Sequence, residues 1–396
     1  MNDSLIKQIL SWTDQPEPDA VKIVDALLQS AVDEKASDLY ITPNNEHLSV
    51  RLRIEGHYRE LLNLPNSVRD QLTARLKVLA RCQSHEFRRP QEGRIQSLNG
   101  KTLDIRASFL PALHGERIVL RVLRGEMELR PLDALGWTPE QLKLYISLLH
   151  PIDGAILFTG PAGSGKSTTI YATLRHLEAT EGKYLNFATL EDPIEYDLRT
   201  IAQTQIAPAV GLDFAAGLRS MLRQDPNVIM IGEIRDTETA ATAMRAAMSG
   251  HLILSTVHAR DTLGVSIRLI DMGVEPFIVA SSIRVVAAQR LVGLNCPKCS
   301  KQVPLDPYLA EYFRLDKNQA VFQGQGCEVC GQTGIMERRA LFELFIPGDN
   351  FQQAVTERTP LFELRKLFQP RPSLKDSAAV LIKEGFLSPL EAGRVL

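Results

Sequence analysis

The chain has 396 residues, 44% of them hydrophobic and 23% charged, which fits a globular protein of two or three domains and excludes a fibre or a disordered tail. Its 45 Lys and Arg against 47 Asp and Glu give a formal net charge of −2, which argues against bulk electrostatic binding to nucleic acid. No long apolar run is free of charged or His residues; even Ala246 to Ala259 holds His251 and His258. No transmembrane helix is therefore expected. Met1 to Leu10 carries Asp3 and Lys7 and has no apolar signal core, so a cytoplasmic protein is expected.

Residues 1–20 are polar and read as an N-terminal extension with a short helix and a Pro-bearing linker. Val21 to Val32 has apolar residues on one helical face, among them Ile23, Val24, Leu27, Leu28 and Ala31. Alternation then predicts strands at Leu39 to Ile41, Leu48 to Ile54 and Tyr58 to Leu62, with Gly56 at a turn. A helix is predicted over Val68 to Leu79. Two more strands, Arg94 to Leu98 and Leu103 to Ala107, flank the hairpin signal Asn99-Gly100, and Ile118 to Leu123 adds another. This makes an α+β domain over 21–123. The stretch 124–136 reads as a hinge linker, with Gly125 and Pro131. Thr138, Pro139 and Gln141 then mark a capped helix start and a second domain over 137–396.

The second domain alternates strands and helices: Ala155 to Thr159, Lys166 to Glu178, Tyr184 to Leu190, Phe214 to Leu222, Val228 to Ile231, Thr237 to Met248 and Leu252 to Val257. Nearly continuous apolar strands between helices predict a doubly wound parallel sheet, an α/β fold. The pattern breaks after Leu294 into a Cys-bearing insert over 294–345. Helices close the chain over 350–396, their starts marked by Thr359-Pro360 and by Ser388-Pro389 with Glu391.

The segment Gly160-Pro161-Ala162-Gly163-Ser164-Gly165-Lys166-Ser167, followed by Thr168, matches the phosphate-loop pattern in full, between an apolar strand and a helix. Its glycines let successive backbone N–H groups face one anion at a helix N-terminus. Lys166 is expected to reach the β and γ phosphates of ATP, and Ser167 to hold Mg²⁺. Catalysis also needs carboxylates near the γ-phosphate. Glu191 and Glu195 lie in the Glu-Asp-Pro-Ile-Glu run after one strand, and Glu233 follows Gly232 after another. Ligands in such sheets bind beyond the carboxyl ends of the strands, so all three acids are candidates. His258, at the end of the last strand, could sense the γ-phosphate as a hydrogen-bond donor.

Cys296-x-x-Cys299 and Cys327-x-x-Cys330 form two pairs that could close a tetrahedral zinc site, with Gly324 and Gly326 beside the second. Four thiolates leave no open position, so that Zn²⁺ is expected to be structural. The segment between the pairs, residues 300–326, is polar with few apolar anchors such as Leu309 and Phe313. Cys82 reads as a packed thiol.

These motifs together resemble the secretion ATPases of type II secretion and type IV pilus assembly. Four ordered blocks carry the likeness: the phosphate loop, TLEDPIEY at Thr189 to Tyr196, LRSMLRQDPNVIMIGEIRD at Leu218 to Asp236, and GHLILSTVHARD at Gly250 to Asp261. In the N-terminal domain Pro90 to Ile95 and Gly115 to Leu123 also match. Ser37 to Ile41 matches with Tyr40 where His is usual. Asn227 and Ala259-Arg260 are further departures.

The resemblance implies a RecA-like ATPase domain preceded by a smaller PAS-like domain. It further implies a homo-hexameric ring that hydrolyses ATP to assemble pili or pseudopili, with Arg94 and Arg106 of the N-terminal domain contacting phosphates as that domain closes. Implied partners are an inner-membrane platform protein with its cytoplasmic docking partner and, indirectly, pilin or pseudopilin, giving a cytoplasmic protein peripherally associated with the inner membrane. Longer relatives carry an extra N-terminal docking domain, and here fewer than 40 residues precede the first matching module. The rival readings are a pilus retraction ATPase, a zinc-containing nucleic-acid-binding NTPase and a non-hydrolysing scaffold. The four cysteines disfavour the first, the charge balance the second, and intact Lys166, Ser167 and Glu233 the third.

Overall fold

The computed structural model describes residues 3–396 apart from Asp14, Pro16, Glu17, Glu55, Asn99, Gly100, 124–129 and Arg371. It falls into two compact units, 1–127 and 128–396. The expected hairpin turn at Asn99-Gly100 and the first half of the expected hinge lie outside the described residues.

In the first unit, helices α1 (Asp3–Thr13), α2 (Ala20–Asp33) and α3 (Arg69–Leu79) accompany six strands: β1 (Asp38–Pro43), β2 (His47–Ile54), β3 (His57–Pro65), β4 (Gln91–Leu98), β5 (Lys101–Ala112) and β6 (Gly115–Leu123). Asp19 caps α2 by accepting the Lys22 N–H. That helix buries Ile23, Val24, Leu27, Leu28 and Ala31 against sheet residues such as Leu39, Ile41, Val50, Ile105 and Leu120. The sheet runs β3-β2-β1-β6-β5-β4, with every neighbouring pair antiparallel. Directly opposed residues share a face. Register therefore places Arg94, Arg106, Arg121, Asp38, Arg53 and Tyr58 in one row across all six strands. Arg94 grips Asp104 through two bonds of 2.6 and 2.5 Å, and Arg121 Nε donates to Asp38 at 3.0 Å. On the buried side, the Lys77 ammonium lies 2.6 Å from the Glu116 carboxylate, with both side chains almost wholly out of water.

The second unit opens with α4 (Pro139–Ser147). Thr138 and Gln141 form its capping box, with Pro139 in the first turn. Just before it, Leu132 and Trp137 are buried in this unit's core, Trp137 stacked on Phe342 with centroids 3.4 Å apart. The main elements follow: β7 (Gly154–Thr159), α5 (Lys166–Glu181), β8 (Phe187–Glu191), β9 (Ala202–Gln205), α6 (Phe214–Met221), β10 (Val228–Ile231), α7 (Thr237–Met248), β11 (Leu252–Thr256), α8 (Gly264–Asp271), α9 (Pro276–Ser282) and β12 (Ile283–Asn295). Strand β8 starts three residues later than its pattern suggested, and Tyr184 is left in solvent. The sheet order is β15-β12-β7-β11-β10-β8-β9, parallel except for the edge strand β15 (Ile335–Phe345).

Strand residues divide alternately between two cores. Leu157, Ile229, Ile231 and Ile253 pack on one side, and Phe158, Met230, Leu252 and Leu254 on the other. This covering of both faces is why the strands read as unbroken apolar runs. Strand β12 was not anticipated from the sequence, although it is paired on both sides, between β7 and β15.

The Cys-bearing region contains β13 (Ser300–Val303), α10 (Pro307–Tyr312) and β14 (Val321–Gly324). The chain ends in α11 (Asp349–Thr356), α12 (Leu361–Leu367), α13 (Leu374–Lys383) and α14 (Pro389–Val395). The insert is better anchored than its composition suggested. Phe313, Leu315 and Val321 share a core with Val292, Leu341, Leu381, Ile382 and Leu387, so the insert and the last helices bury each other. Among the described residues no helix is long and apolar enough to cross a membrane.

Candidate nucleotide site and cysteine cluster

The phosphate loop lies between the end of β7 and the start of α5. Gly163 and Gly165 take φ of +76° and +86°, a region open to glycine at little steric expense. A Cβ on Gly165 would come within 2.9 Å of Gln289 Nε2, whereas one on Gly163 would meet nothing within 4 Å, so the loop is tight on its β12 flank and open at its tip. Pro161, Ala162 and Gly163 are exposed, while Ser167 and Thr168 at the start of α5 are half-buried. Lys166 is 8% exposed and folds onto its own loop, donating to Gly160 O and Pro161 O at 2.9 Å each. Burial and then the Arg290 charge hold its pKa below the usual lysine value, and Glu233 acts in the opposite sense. Ser164 Oγ is buried, with no hydrogen-bond partner among the described residues. A hydroxyl and an ammonium are both groups able to donate to phosphate oxygens.

Neighbouring strands bring up the other groups. Gly232 N donates to Leu190 O at 2.8 Å and Thr256 Oγ1 donates to Gly232 O at 2.8 Å, which pins the turn that carries Glu233. The Glu233 carboxylate is 2.5 Å from Arg235 Nε and 3.7 Å from His258 Nε2. His258 is more than half exposed and extends from the end of β11, the strand between β7 and β10. Thr159 Oγ1 donates to Ala259 O at 2.8 Å and lies 3.1 Å from Ala259 N, tying the loop after β11 to the start of the phosphate loop. Lys166, Glu233 and His258 thus gather at one end of the parallel sheet. Ser167 and Glu233 carry oxygens that could hold Mg²⁺, an ion that would neutralise phosphate charge there.

The other two acids are placed differently. Glu191 is 2% exposed. It accepts from Thr189 Oγ1 at 2.5 Å, from Gln203 Nε2 at 2.9 Å and from the Tyr171 hydroxyl. Burial and the adjacent carboxylate raise the Tyr171 pKa well above the usual phenol. Glu195 is exposed, and its backbone N–H donates to Tyr171 Oη at 3.2 Å. Arg94 and Arg106 belong to the first unit, opposed across β4 and β5. Two residues missed in the sequence also border the loop: Gln289, whose Oε1 lies 3.0 Å from Thr169 Oγ1, and Arg290. Their only sequence signal was the apolar run Val285 to Leu294, interrupted by this polar pair.

The four paired cysteines converge, with all Sγ atoms within 4.8 Å of one another. The separations Cys296–Cys327 and Cys299–Cys330 are 3.9 Å and Cys327–Cys330 is 3.7 Å. These are too long for disulfides. They match the edge of a tetrahedron with a metal–sulfur length of about 2.3 Å, which is about 3.8 Å. The N–H groups of Cys327 and Gly334 each lie 3.2 Å from Cys330 Sγ. Burial works against the thiolate, but these donors prevail and bring the Cys330 thiol down to about 6. Gly324 and Gly334 touch backbone to backbone, a Cβ on Gly324 coming 1.9 Å from Gly334 O, and so close the loop that carries Cys327 and Cys330. The donor set fits zinc.

Residues 15–393 match the family model described as Type II/IV secretion system protein. The chain belongs to this family. Among curated relatives, the type II secretion system protein E of Klebsiella pneumoniae is 43% identical over 336 residues, 85% of this chain and 67% of that protein. The type II secretion system ATPase E of Vibrio cholerae is 39% identical over 387 residues, 96% and 76% of the two chains. Similar solved structures include the Legionella pneumophila ATPase DotB (TM-score 0.68, 20% identity, covering 97% of each chain) and the pilus retraction motor PilT with bound ADP (TM-score 0.61, 24% identity, covering 93% of this chain and 96% of that one). At those identities the structures establish the shared fold of this secretion-family protein.

Proposed function

We propose that this secretion-family protein hydrolyses ATP and converts the energy into assembly of a pseudopilus or pilus. The observation that carries the reading is the meeting of Lys166, Glu233 and His258 around a complete phosphate loop. Lys166 would exchange its two carbonyl partners for phosphate oxygens, and Ser164 Oγ would gain the partner it lacks. Glu233 would orient the attacking water or hold Mg²⁺, and His258, beside it, would donate to the γ-phosphate.

The finer elements of the reading belong to the same proposal. Six copies would form a ring, and the first unit would close over the nucleotide and bring Arg94 and Arg106 to its phosphates. The working partners would be an inner-membrane platform and its docking protein, with the ring held peripherally at that membrane. Zinc in the four-cysteine cluster would be structural. The cluster favours assembly over retraction, because retraction members of the resembled family lack it.

Steady-state ATP hydrolysis measured alongside particle size, with and without DNA, tests the reading. Turnover should rise with assembly, ignore DNA and vanish in Lys166→Ala. A parental protein that hydrolyses no ATP in any assembly state would end it.

A further inference from the structure

Strand β12 runs parallel to β7, with Ala288 in register with Thr159. The next two residues therefore come level with the start of the phosphate loop. Gln289 is buried and Arg290 half-buried. Arg290 Nη1 donates to Gln289 O at 3.0 Å and Nη2 donates to Arg260 O at 3.2 Å. A Cβ on Gly160 would stand 3.1 Å from Nη1, so the guanidinium lies against the first residue of the loop. Two carbonyls occupy two of its five donors. Among the described residues no carboxylate pairs with it at close range, although Glu343 and Asp261 are near enough to favour its charge against burial.

The arrangement is lopsided in a useful way. In the sheet, β7 has β12 on one side and β11 followed by β10 on the other. The loop at the end of β7 thus has the Arg290 cation on one flank and the Glu233 carboxylate on the other, and the Lys166 ammonium feels both with opposite sign. A metal held on the Glu233 flank would neutralise only the phosphate oxygens facing that side. Oxygens turned toward β12 would need another cation, and a planar fork of N–H donors suits them.

We propose that Arg290 binds the phosphate oxygens of a nucleoside di- or triphosphate from the β12 flank, independently of the metal. Lys166 and Arg290 then form a two-cation clamp supplied by a single chain. The Arg260 carbonyl holds the guanidinium in place, so the residue that departs from the family pattern contributes through its backbone. The inference rests on the nucleotide-binding reading above.

Calorimetric titration of the full chain with ADP tests it, once in EDTA and once with Mg²⁺. Arg290→Gln keeps an amide donor for the Arg260 carbonyl but removes the charge. Its ADP affinity should fall about tenfold or more in both buffers, the usual scale for a charged hydrogen bond. Arg290→Lys should recover part of the loss, and the melting temperature without nucleotide should stay within about 2 °C of the parent. An Arg290→Gln protein that binds ADP as the parent does in EDTA would overturn the proposal, even if its turnover were impaired. So would a loss of affinity accompanied by a fall in melting temperature and no recovery in Arg290→Lys, because that pattern marks a damaged loop. A parental protein that binds no ADP would instead refute the nucleotide reading itself.

Discussion

His258 Nε2 stands 3.7 Å from Glu233 Oε2, joining the ends of two strands that the sequence separates by 25 residues. Both lie at the end of the sheet that carries the phosphate loop, whose Lys166 donates to the Gly160 and Pro161 carbonyls. Glu233→Gln should retain ATP binding and lose turnover by about 100-fold or more, because the amide can neither accept a proton nor carry anionic charge. Lys166→Ala should lose turnover at least as severely. Single-turnover hydrolysis with a parallel binding measurement separates the two; parental turnover in the Gln variant would remove Glu233 from the chemistry.

The Arg94–Asp104 pair is partly exposed, so it should contribute under about 1 kcal/mol to stability. Arg94→Ala is therefore a clean probe of function. Arg94→Ala and Arg106→Ala should each lower kcat at least tenfold, the lower end of what supplied arginines give in phosphoryl transfer being larger still. For Arg94→Ala the melting temperature should hardly move. Indifference of the ATPase rate to both substitutions would show that the arginine row serves something else.

Purified protein should contain about one zinc per chain, measured by mass spectrometry of the metal. Cys327→Ser should lose it. Zinc binding is worth on the order of 10 kcal/mol in small zinc modules. Here Phe313, Leu315 and Val321 also pack against the final helices, so the insert should loosen without unfolding the unit. Basal ATPase should stay within about twofold of the parent while pilin or pseudopilin assembly fails. A metal content far below one per chain, without chelator in the purification, would rule the site out.

Tyr171→Phe removes one of the three side-chain donors to Glu191 and leaves a buried carboxylate short of a partner. The expected loss is about 1–3 kcal/mol, read as a melting temperature lower by several degrees. An unchanged melting curve would mean that Thr189 and Gln203 suffice.

Breaking the Lys77–Glu116 pair should be more damaging, about 3–5 kcal/mol for Glu116→Leu alone, since a buried ammonium is then left with Phe87, Phe109 and the Glu86 carbonyl for company. Lys77→Met combined with Glu116→Leu should recover most of that loss in urea unfolding. A double variant as unstable as the single one would show that the pair itself, and not the stranded charge, matters.

Short-range rules wrote much of this protein into its sequence. The phosphate loop, the caps at Thr138 and Ser388 and the strand Val228–Ile231 depend on neighbours within a few residues, and the structure has them where the residues indicated; the strand expected over Leu252 to Val257 ends one residue earlier, at Thr256. Two cysteine pairs of fixed spacing likewise announced a metal-sized cluster. Tertiary structure decided what depends on register and on partners far along the chain. Three acids were candidates in the sequence, with Glu233 foremost; in the structure Glu191 is enclosed by Tyr171, Thr189 and Gln203, Glu195 faces solvent, and Glu233 stands beside His258. Arg94 and Arg106 meet in a row because antiparallel pairing fixes which residues oppose one another. Arg290 reaches Gly160 only because β12 crosses back to lie against β7, a long-range pairing that periodicity within either strand cannot encode.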